Sequence, residues 1–398
     1  MEDLVIVSAV RTPFAAFGGT LKDFSLPTLG SIVIAEALAR AKVQPEEVDE
    51  IAMGVNLPGS DRSIARQAML KAGIPEERVA YTVDRACCSS LVAITLASRG
   101  VRSGDAAIAV AGGTENMSKV PYFVHDARWG HRLGDIVLKD QLVISCPHTG
   151  VPRAVQAGEE AVKFGVSREE QDEWAFNSQE RYFAADAAGK FADELVPVKV
   201  KQRKGPAIPF EKDESPRRTT LEKLAQLQTI YGSPTVTAGN APGLNTGASA
   251  LVLMSRRLAE KRGIQPLAIL HTTAMVSGHP HSLASIPAVA AKKALDRVGK
   301  RIEEMDVIEI NEAFAAMPLV STLVLAGNDV KKAQALRART NVNGGAIALG
   351  HPTGATAARL VMTTAYELRR RGGGWGVATL CGGIGEGEAA VVEVPPSW

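Results

Sequence analysis

"EALARAKVQPEEVDEIAMG" occupies residues 36–54, and "KKALDRVGKRIEEMDVIEIN" occupies residues 292–311. Sliding one on the other sets Ala37 on Ala294, Leu38 on Leu295 and Arg40 on Arg297. Glu46, Glu47 and Asp49 then fall on Glu303, Glu304 and Asp306. Each copy reads as an amphipathic helix, a short acidic turn and a buried strand. A second pair follows in the same order. "CCSSLVAITLASRGVRSGDAAIAVAGGTE" (87–115) is a loop, a helix and an apolar strand with Gly-Gly near its end. "HPTGATAARLVMTTAYELRRRGGGWGVATLCGGIGEGEA" (351–389) repeats those elements. One helix–strand unit resembles another by chance often enough. Two pairs in one order predict a duplication into two related α/β halves.

The stretch between the repeats has another texture. From about 119 to 243 charge, Pro and aromatic residues are denser and helix–strand alternation fades. "GVSREEQDEWAFNSQERYFAADAAG" (165–189) still reads as one helix, with Ser167 as N-cap and Glu170 at the capping-box position. The expected organisation is a first half over 1–118 completed by about 244–270, an inserted loop domain over 119–243, and a second half over 271–398. A loop segment that long in a compact protein is usually functional, so it is expected to lie over the site built by the halves.

Composition sets further bounds. The chain has 398 residues, more than a usual single core, and is 45% hydrophobic and 22% charged with net charge +2. Such a balance carries no footprint for nucleic acid. "VKVKQRKG" (198–205) is a local basic run that reads as a solvated loop, with docking of an acidic ligand as the alternative. "MEDLVIVSAVRTPF" has no basic segment followed by an apolar core and a small-residue cleavage site, and no apolar run reaches membrane-spanning length. Four cysteines in a chain of this size do not form a disulfide framework, and a reducing cytoplasm is the expected compartment.

Three Gly-rich stretches stand out: "NVNGGAIALGHPTGA" (341–355), "LCGGIGEG" (380–387) and "VTAGNAPGLNTGASA" (236–250). None contains the GxxxxGK[ST] phosphate loop, and "GGIGEG" precedes a strand rather than a helix, which argues against a dinucleotide site. What remains is Cys87 or Cys88, His351 and Cys381. A lone cysteine is usually a small buried hydrophobe. These lie at Gly-rich ends of strands or helices in equivalent parts of the two halves, where open α/β sheets bind ligands. Cys87 or Cys88 opens the helix predicted over 88–99, and a helix N-terminus is expected to lower the thiol pKa. A thiol with a His base is a covalent catalytic unit, and a second Cys supplies a separate acid/base for work at carbon. Zinc is the rival reading, but Cys87-Cys88 has neither CxxC spacing nor clustered His, so no metal site is expected.

Over essentially its whole length the chain resembles the thiolase family. The motifs that carry this are "VSAVRTPF" (7–14), "GGTENMS" (112–118), "VTAGNA" (236–241), "NEAFAA" (311–316), "NVNGGAIALGHPTGA" and "LCGG" (380–383). The resemblance implies an α/β thiolase fold: two duplicated βαβ-type halves in a layered αβαβα arrangement with an inserted loop domain. It implies that Cys87 takes the acyl group, His351 activates that thiol, and Cys381 is the acid/base at the α-carbon. Asn311 holds a water that, with His351, stabilises the enolate oxygen. The N–H groups of Cys87 and Gly383 form the other oxyanion hole, and Arg217, Gly243, Leu244, Ala313 and Phe314 join Arg153 in binding CoA or substrate. It further implies acyl-CoA and CoA as partners, no cofactor beyond CoA as substrate, a homodimer or homotetramer with tetramer contacts from the loop domain, and, in members of unusual substrate range, a small zinc-containing accessory subunit.

Several positions depart from the family pattern Asn-x-x-Cys-Gly-Ser-Gly. In "DRACCSS" (84–90) Asp84 stands for the Asn, Cys88 for the first Gly and Ser90 for the second. Where relatives read "HMGxTAE" this chain reads "PRAVQAGEE" (152–160), so Pro152 replaces the His, Arg153-Ala154 the Met-Gly and Gly158 the Glu. Pro242 replaces a CoA-binding Ser, and Ile384 stands where Gly is usual. With the catalytic set kept and the cover rewritten, the expected reaction is thiolysis or Claisen condensation of an atypical 3-ketoacyl-CoA. A bulky or carboxylated one such as benzoylsuccinyl-CoA fits, with Arg153 pairing to the carboxylate. The alternatives are an ordinary acetoacetyl-CoA or 3-ketoacyl-CoA thiolase, with Arg153 turned to solvent or to a CoA phosphate, and a non-catalytic acyl-CoA binding protein on the same fold. A decarboxylating condensing enzyme is disfavoured by Cys381.

Overall fold

The computed structural model describes residues 3–142 and 145–398. Ten strands form the main sheet. Nine run across it: Leu4–Arg11 (β1), Glu50–Gly54 (β2), Val79–Val83 (β3), Ile108–Asn116 (β4), Asn245–Ser255 (β5), Ala268–Ser277 (β6), Val307–Ile310 (β7), Gly374–Cys381 (β8) and Glu386–Val394 (β9). The two-residue strand Ala15–Ala16 pairs with β5 off this path. The order is β7-β8-β9-β6-β1-β5-β4-β2-β3. At the centre β1 and β6 are antiparallel over only Val5↔Ile269 and Ile6↔Ala268, so two half-sheets meet along a narrow seam.

The duplicated stretches fold alike. Helix Leu26–Ala41 (α1) precedes a 3-10 turn at Pro45–Glu47 and then β2. Helix Ile286–Arg297 precedes a 3-10 turn at Ile302–Glu304 and then β7. In both turns the last glutamate reaches back to the N-cap backbone, Glu47 to Gln44 N and Glu304 to Arg301 N, each at 2.8 Å. Those glutamates are in register in the alignment because the capping chemistry is the same. Both halves also share a bulge, at Ile6/Ser8 in β1 and at Leu270/Thr272 in β6. The extra residue resets the in–out alternation: Leu4, Ile6 and Ala9 face one apolar cluster, while Val5, Val7 and Val10 face another. The second half lacks a full counterpart of β3; a parallel bridge from Ile308 to Thr340 stands in its place.

Helices Ser89–Ser103 (α2) and Thr353–Arg370 pack against each other, and each touches strands of both half-sheets. The helix 26–41 covers the outer face of the first half-sheet and the helix 286–297 that of the second. Three large apolar clusters fill the layers between. The result is the expected α/β arrangement, helix–sheet–helix–sheet–helix. Of the other helices, those that bear on the site are Arg153–Lys163 (α3), Arg168–Ala187 (α4), Ile286–Arg297 (α5), Ala316–Leu325 (α6) and Thr353–Arg370 (α7). The helix expected over 165–189 is α4, with Ser167 accepting from Glu170 N and Glu170 accepting from Ser167 N.

The region between the halves is tied to β1 by a buried ion cluster. Arg11, fully buried, donates to Asp213 through both terminal nitrogens (2.7 and 3.0 Å) and to Glu194 through Nε (2.9 Å). Phe14 N also donates to Asp213. Removing one member of such a cluster leaves a buried charge unpaired and commonly costs about 3–5 kcal/mol.

Candidate active site

The two central helices each carry a reactive group two residues ahead of their first turn: Cys87 before Ser89, and His351 before Thr353. The duplication therefore sets one residue from each half at corresponding positions. Cys87 follows a tight turn in which Ala86 has φ +49 and its N–H donates to Asp84 Oδ1 at 2.9 Å. Only one side-chain oxygen is used, and an aspartate supplies it as well as an asparagine does.

His351 is held on three sides. Its backbone N–H donates to Asn245 Oδ1 (2.8 Å). Its Nδ1 meets Thr356 Oγ1 at 2.8 Å, and that hydroxyl donates onward to the Pro352 carbonyl at 2.9 Å. The hydroxyl proton is thus spent, so Nδ1 carries the imidazole proton and Nε2 is the lone-pair nitrogen. Nε2 lies 3.3 Å from Cys87 Sγ and 3.3 Å from Asn311 Nδ2. A general base thus faces the thiol, oriented by a third group behind it.

Burial, assisted by the Arg359 guanidinium, lowers the His351 pKa to about 3. Burial pushes the Cys87 thiol well above the ordinary thiol range, nearby Cys381 adds to the rise, and Arg153 opposes it. Sequence reasoning expected the helix start to lower this pKa; loss of hydration outweighs the partial charge of a helix end. Cys381 is pushed up to about 11 by burial, with Arg153 and the Gly383 N–H pulling it down. The resting site therefore holds neutral thiols beside a neutral imidazole, an arrangement in which Nε2 can accept the thiol proton.

This makes a stability prediction. The folded pKa of His351 lies below its ordinary value of 6.5. Between about pH 6.5 and 3 the unfolded chain binds the extra proton, so stability is lost as pH falls through that window. His351→Asn removes this term. Its stability relative to wild type should improve on going from pH 6.5 to 4, by at most about 1.4 kcal/mol per pH unit. Denaturant midpoints across that range check it; parallel curves for the two proteins would contradict a neutral buried imidazole.

Cys381 ends β8, and the Gly-Gly turn after it approaches the segment that carries Cys87 and Cys88. A Cβ on Gly382 would lie 3.0 Å from Cys88 Sγ. Cys88 is fully buried, in ordinary helical backbone (φ −78, ψ −8), with its sulfur 3.9 Å from the Leu380 carbonyl. It fills space under the site, and nothing in its backbone demands glycine. Ser90 is also buried, and its Oγ accepts from Ala358 N across the contact of the central helices. Ile384 adopts φ +48, an unusual conformation for a β-branched residue.

Arg153 opens α3 and its guanidinium lies over Gly383: a Cβ there would fall 2.5 Å from Nη1 and 2.8 Å from both Cζ and Nη2. Gly383, at φ +63, is a position where a side chain is excluded by backbone and neighbour alike. Arg153 therefore lies beside the turn after Cys381; the residue is half-buried, with its Nη1 enclosed. Ala313 and Phe314 are half-buried against the apolar cluster that includes α3 and α6, and Ala315 N donates to the Asn240 carbonyl. Arg217, Gly243 and Leu244 are exposed; Arg217 Nη2 donates to the Ala238 carbonyl, and Gly243-Leu244 lead into Asn245, which holds His351. None of these three contacts Cys87, His351 or Cys381 through a hydrogen bond.

Sequence reasoning assigned no role to several residues that build the site. Glu115 of GGTE accepts from Thr353 Oγ1 (2.6 Å), Gly354 N (2.9 Å), Asn56 N and Leu57 N (both 3.1 Å), capping α7 just after His351. Glu312 of NEAF accepts from Trp174 Nε1, Ser178 Oγ, Asn341 Nδ2 and Ile347 N within 3.1 Å. It joins α4 to the Asn311 and His351 loops. Both belong to family motifs, but their partners are distant in sequence. Among the described residues no group of three or more His, Cys, Asp or Glu is placed to hold a metal, and no helix is long and apolar enough to cross a membrane.

Comparisons with known proteins point to one family. The family model "Thiolase, N-terminal domain" matches residues 4–257 and "Thiolase, C-terminal domain" matches residues 264–394. The chain is 41% identical to an acetyl-CoA acetyltransferase of Syntrophomonas wolfei, over 98% of this chain and 99% of that one. It is 42% identical to that of Cupriavidus necator, over 99% and 100%. Among solved structures it is similar to the Bacillus anthracis acetyl-CoA acetyltransferase, with TM-score 0.94, 39% identity and 99% coverage of each chain. It is also similar to human mitochondrial 3-ketoacyl-CoA thiolase in complex with CoA, with TM-score 0.92, 39% identity and coverage of 99% and 98%.

Proposed function

This chain belongs to the thiolase family, and from that premise we propose that it moves an acyl group between CoA and an acyl-CoA carbon through a thioester on Cys87. The observation that carries this is the 3.3 Å contact of Cys87 Sγ with His351 Nε2, whose tautomer is set by Thr356. In thiolysis Cys87 attacks the 3-keto carbon as His351 takes its proton. The bond between the α-carbon and the keto carbon breaks, and Cys381 delivers a proton to the departing α-carbon. The CoA thiol then attacks the Cys87 thioester, its proton passing to the Cys381 thiolate, while the proton held by His351 returns to the departing Cys87 Sγ. The condensing direction runs these steps backwards, with Cys381 removing the α-proton. Asn311 Oδ1 is buried with no partner among the described residues, which supports its holding a water at the enolate oxygen. Fixed donors of this kind contribute roughly 3–4 kcal/mol each to barrier lowering.

The relatives' names favour an acetyl or simple 3-ketoacyl substrate and lend no support to benzoylsuccinyl-CoA. The test is thiolysis of acetoacetyl-CoA and of longer 3-ketoacyl-CoAs by free CoA. Turnover of none, with no acyl adduct on the protein, sinks the reading and leaves a non-catalytic acyl-CoA binder.

The four cysteines are unpaired, which supports a reducing compartment such as the cytoplasm. The loop region also exposes an apolar run: Trp129 is 83% exposed, Leu133 87% and Val137 72%. Monomeric proteins rarely leave such a patch open, so this run supports assembly of a homotetramer through the loop domain. Replacing Trp129 and Leu133 by Ser should convert tetramers to dimers in light scattering, with thiolysis kept. An unchanged mass would remove the loop from the interface.

A further inference from the structure

We infer that α3 presents a polar wall to the acyl pocket, made of the Arg153 guanidinium and the Gln156 carboxamide, and that this wall selects a 3-ketoacyl-CoA whose acyl group ends in a carboxylate. The inference rests on the thiolase reading and deepens it. Three observations carry it. First, one face of α3 looks at the site. Residues 153, 156 and 160 recur at helical spacing, and the Arg153 guanidinium lies against Gly383, two residues after Cys381. Gln156 follows Arg153 by three positions, on the same side of the helix.

Second, the wall's polar atoms are unsatisfied. Gln156 is fully buried, yet neither its amide nitrogen nor its amide oxygen has a partner. Arg153 Nη1 is buried and also has none, and no carboxylate or carbonyl among the described residues pairs with that guanidinium. Buried polar groups are nearly always hydrogen-bonded, so two adjacent orphans at a reactive centre mark the place of a ligand group. The other buried acid on this face is not available to Arg153. Glu160 already accepts from Leu283 N, Ala284 N, Ser285 N and Ser285 Oγ.

Third, the donor set matches an anion. The guanidinium lies against Gly383, and its buried Nη1 has no partner among the described residues. Its N–H edge is free to meet two oxygens at once, the geometry that a carboxylate fits. Gln156 adds a neutral donor that completes a carboxylate's shell without competing for the charge. A hydrocarbon acyl group would leave all of these groups unpaired. Sites built to bind a polar group reject the analogue lacking it far better than apolar pockets reject an extra group.

The test uses the full-length enzyme and a matched pair of probes: a straight-chain 3-oxodicarboxylic acid as its mono-CoA thioester, and the ω-methyl ester of that same compound. Wild type should cleave the free acid with kcat/KM roughly 100-fold above the ester. In Arg153→Met that ratio should collapse to near one. Arg153→Lys, which keeps the charge but loses the fork, should give an intermediate ratio, and Gln156→Leu should lower it about tenfold. The ratio is read within one protein sample, so a fall in folded fraction does not move it. A wild-type ratio near one, or a ratio unaltered by both substitutions at Arg153, overturns the inference. Mass spectrometry of the acetyl-enzyme formed from acetyl-CoA separates the two failures. An adduct on Cys87 without carboxylate preference leaves the thiolase reading standing, whereas no adduct from any acyl-CoA ends both.

Discussion

Cys87→Ser is expected to lower acyl transfer by at least about four orders of magnitude, while Cys88→Gly keeps it within about tenfold. The adjacent thiols are alike in sequence but opposite in environment. Cys87 retains access to solvent and faces a lone pair on His351 at 3.3 Å. Cys88 is sealed under the Gly382 turn, and burial, with Glu388 nearby, holds its thiol well above the ordinary range. A serine in place of Cys87 would face the same base, but its hydroxyl is a far weaker nucleophile and a poorer leaving group. Removing the Cys88 side chain opens a small cavity at the start of α2, costing about 1–2 kcal/mol of stability rather than the reaction. The measurements are kcat for thiolysis and the site of the adduct trapped without a thiol acceptor. An acyl group found on Cys88 would overturn the assignment.

Cys381→Ala should separate the two halves of the reaction. Acylation of the enzyme by acyl-CoA should stay within about tenfold of wild type, because Cys87 and His351 are untouched. Exchange of the α-protons of acetyl-CoA with deuterated water, and carbon–carbon bond formation or cleavage, should fall roughly 10²–10⁴-fold, the usual share of a positioned acid/base. The location supports this division. Cys381 is at the end of β8, and its pKa near 11 suits a group that meets a weakly acidic carbon. Undiminished deuterium wash-in would show that another base serves the carbon.

Much of the architecture is legible in the chain itself. The paired stretches at 36–54 and 292–311 announce the duplication because each copy must end a helix, cap a 3-10 turn with glutamate and start a buried strand. The helix α4 is legible for the same kind of reason, since Ser167 and Glu170 satisfy each other within one turn. The single bridge at Thr340 is not foreseeable, because a strand reduced to one pairing has no periodicity to detect.

For the site, sequence named the candidates for chemistry: Cys87 or Cys88 before a helix, with the family resemblance choosing Cys87, the histidine after Gly350, and Cys381 at a strand end. Their motifs are local, and local backbone geometry specifies them. Tertiary structure alone decided their state. The tautomer of His351 depends on Thr356 and on Asn311, the latter 40 positions away in the chain. The neutrality of the thiol and imidazole depends on burial by two helices from different halves. The position of Arg153 over Gly383 and the isolation of Gln156 arise from an inserted helix packing onto a strand end more than 200 residues later. Hydration and distance set these properties, and both come into being only when segments remote in sequence exclude water from one another.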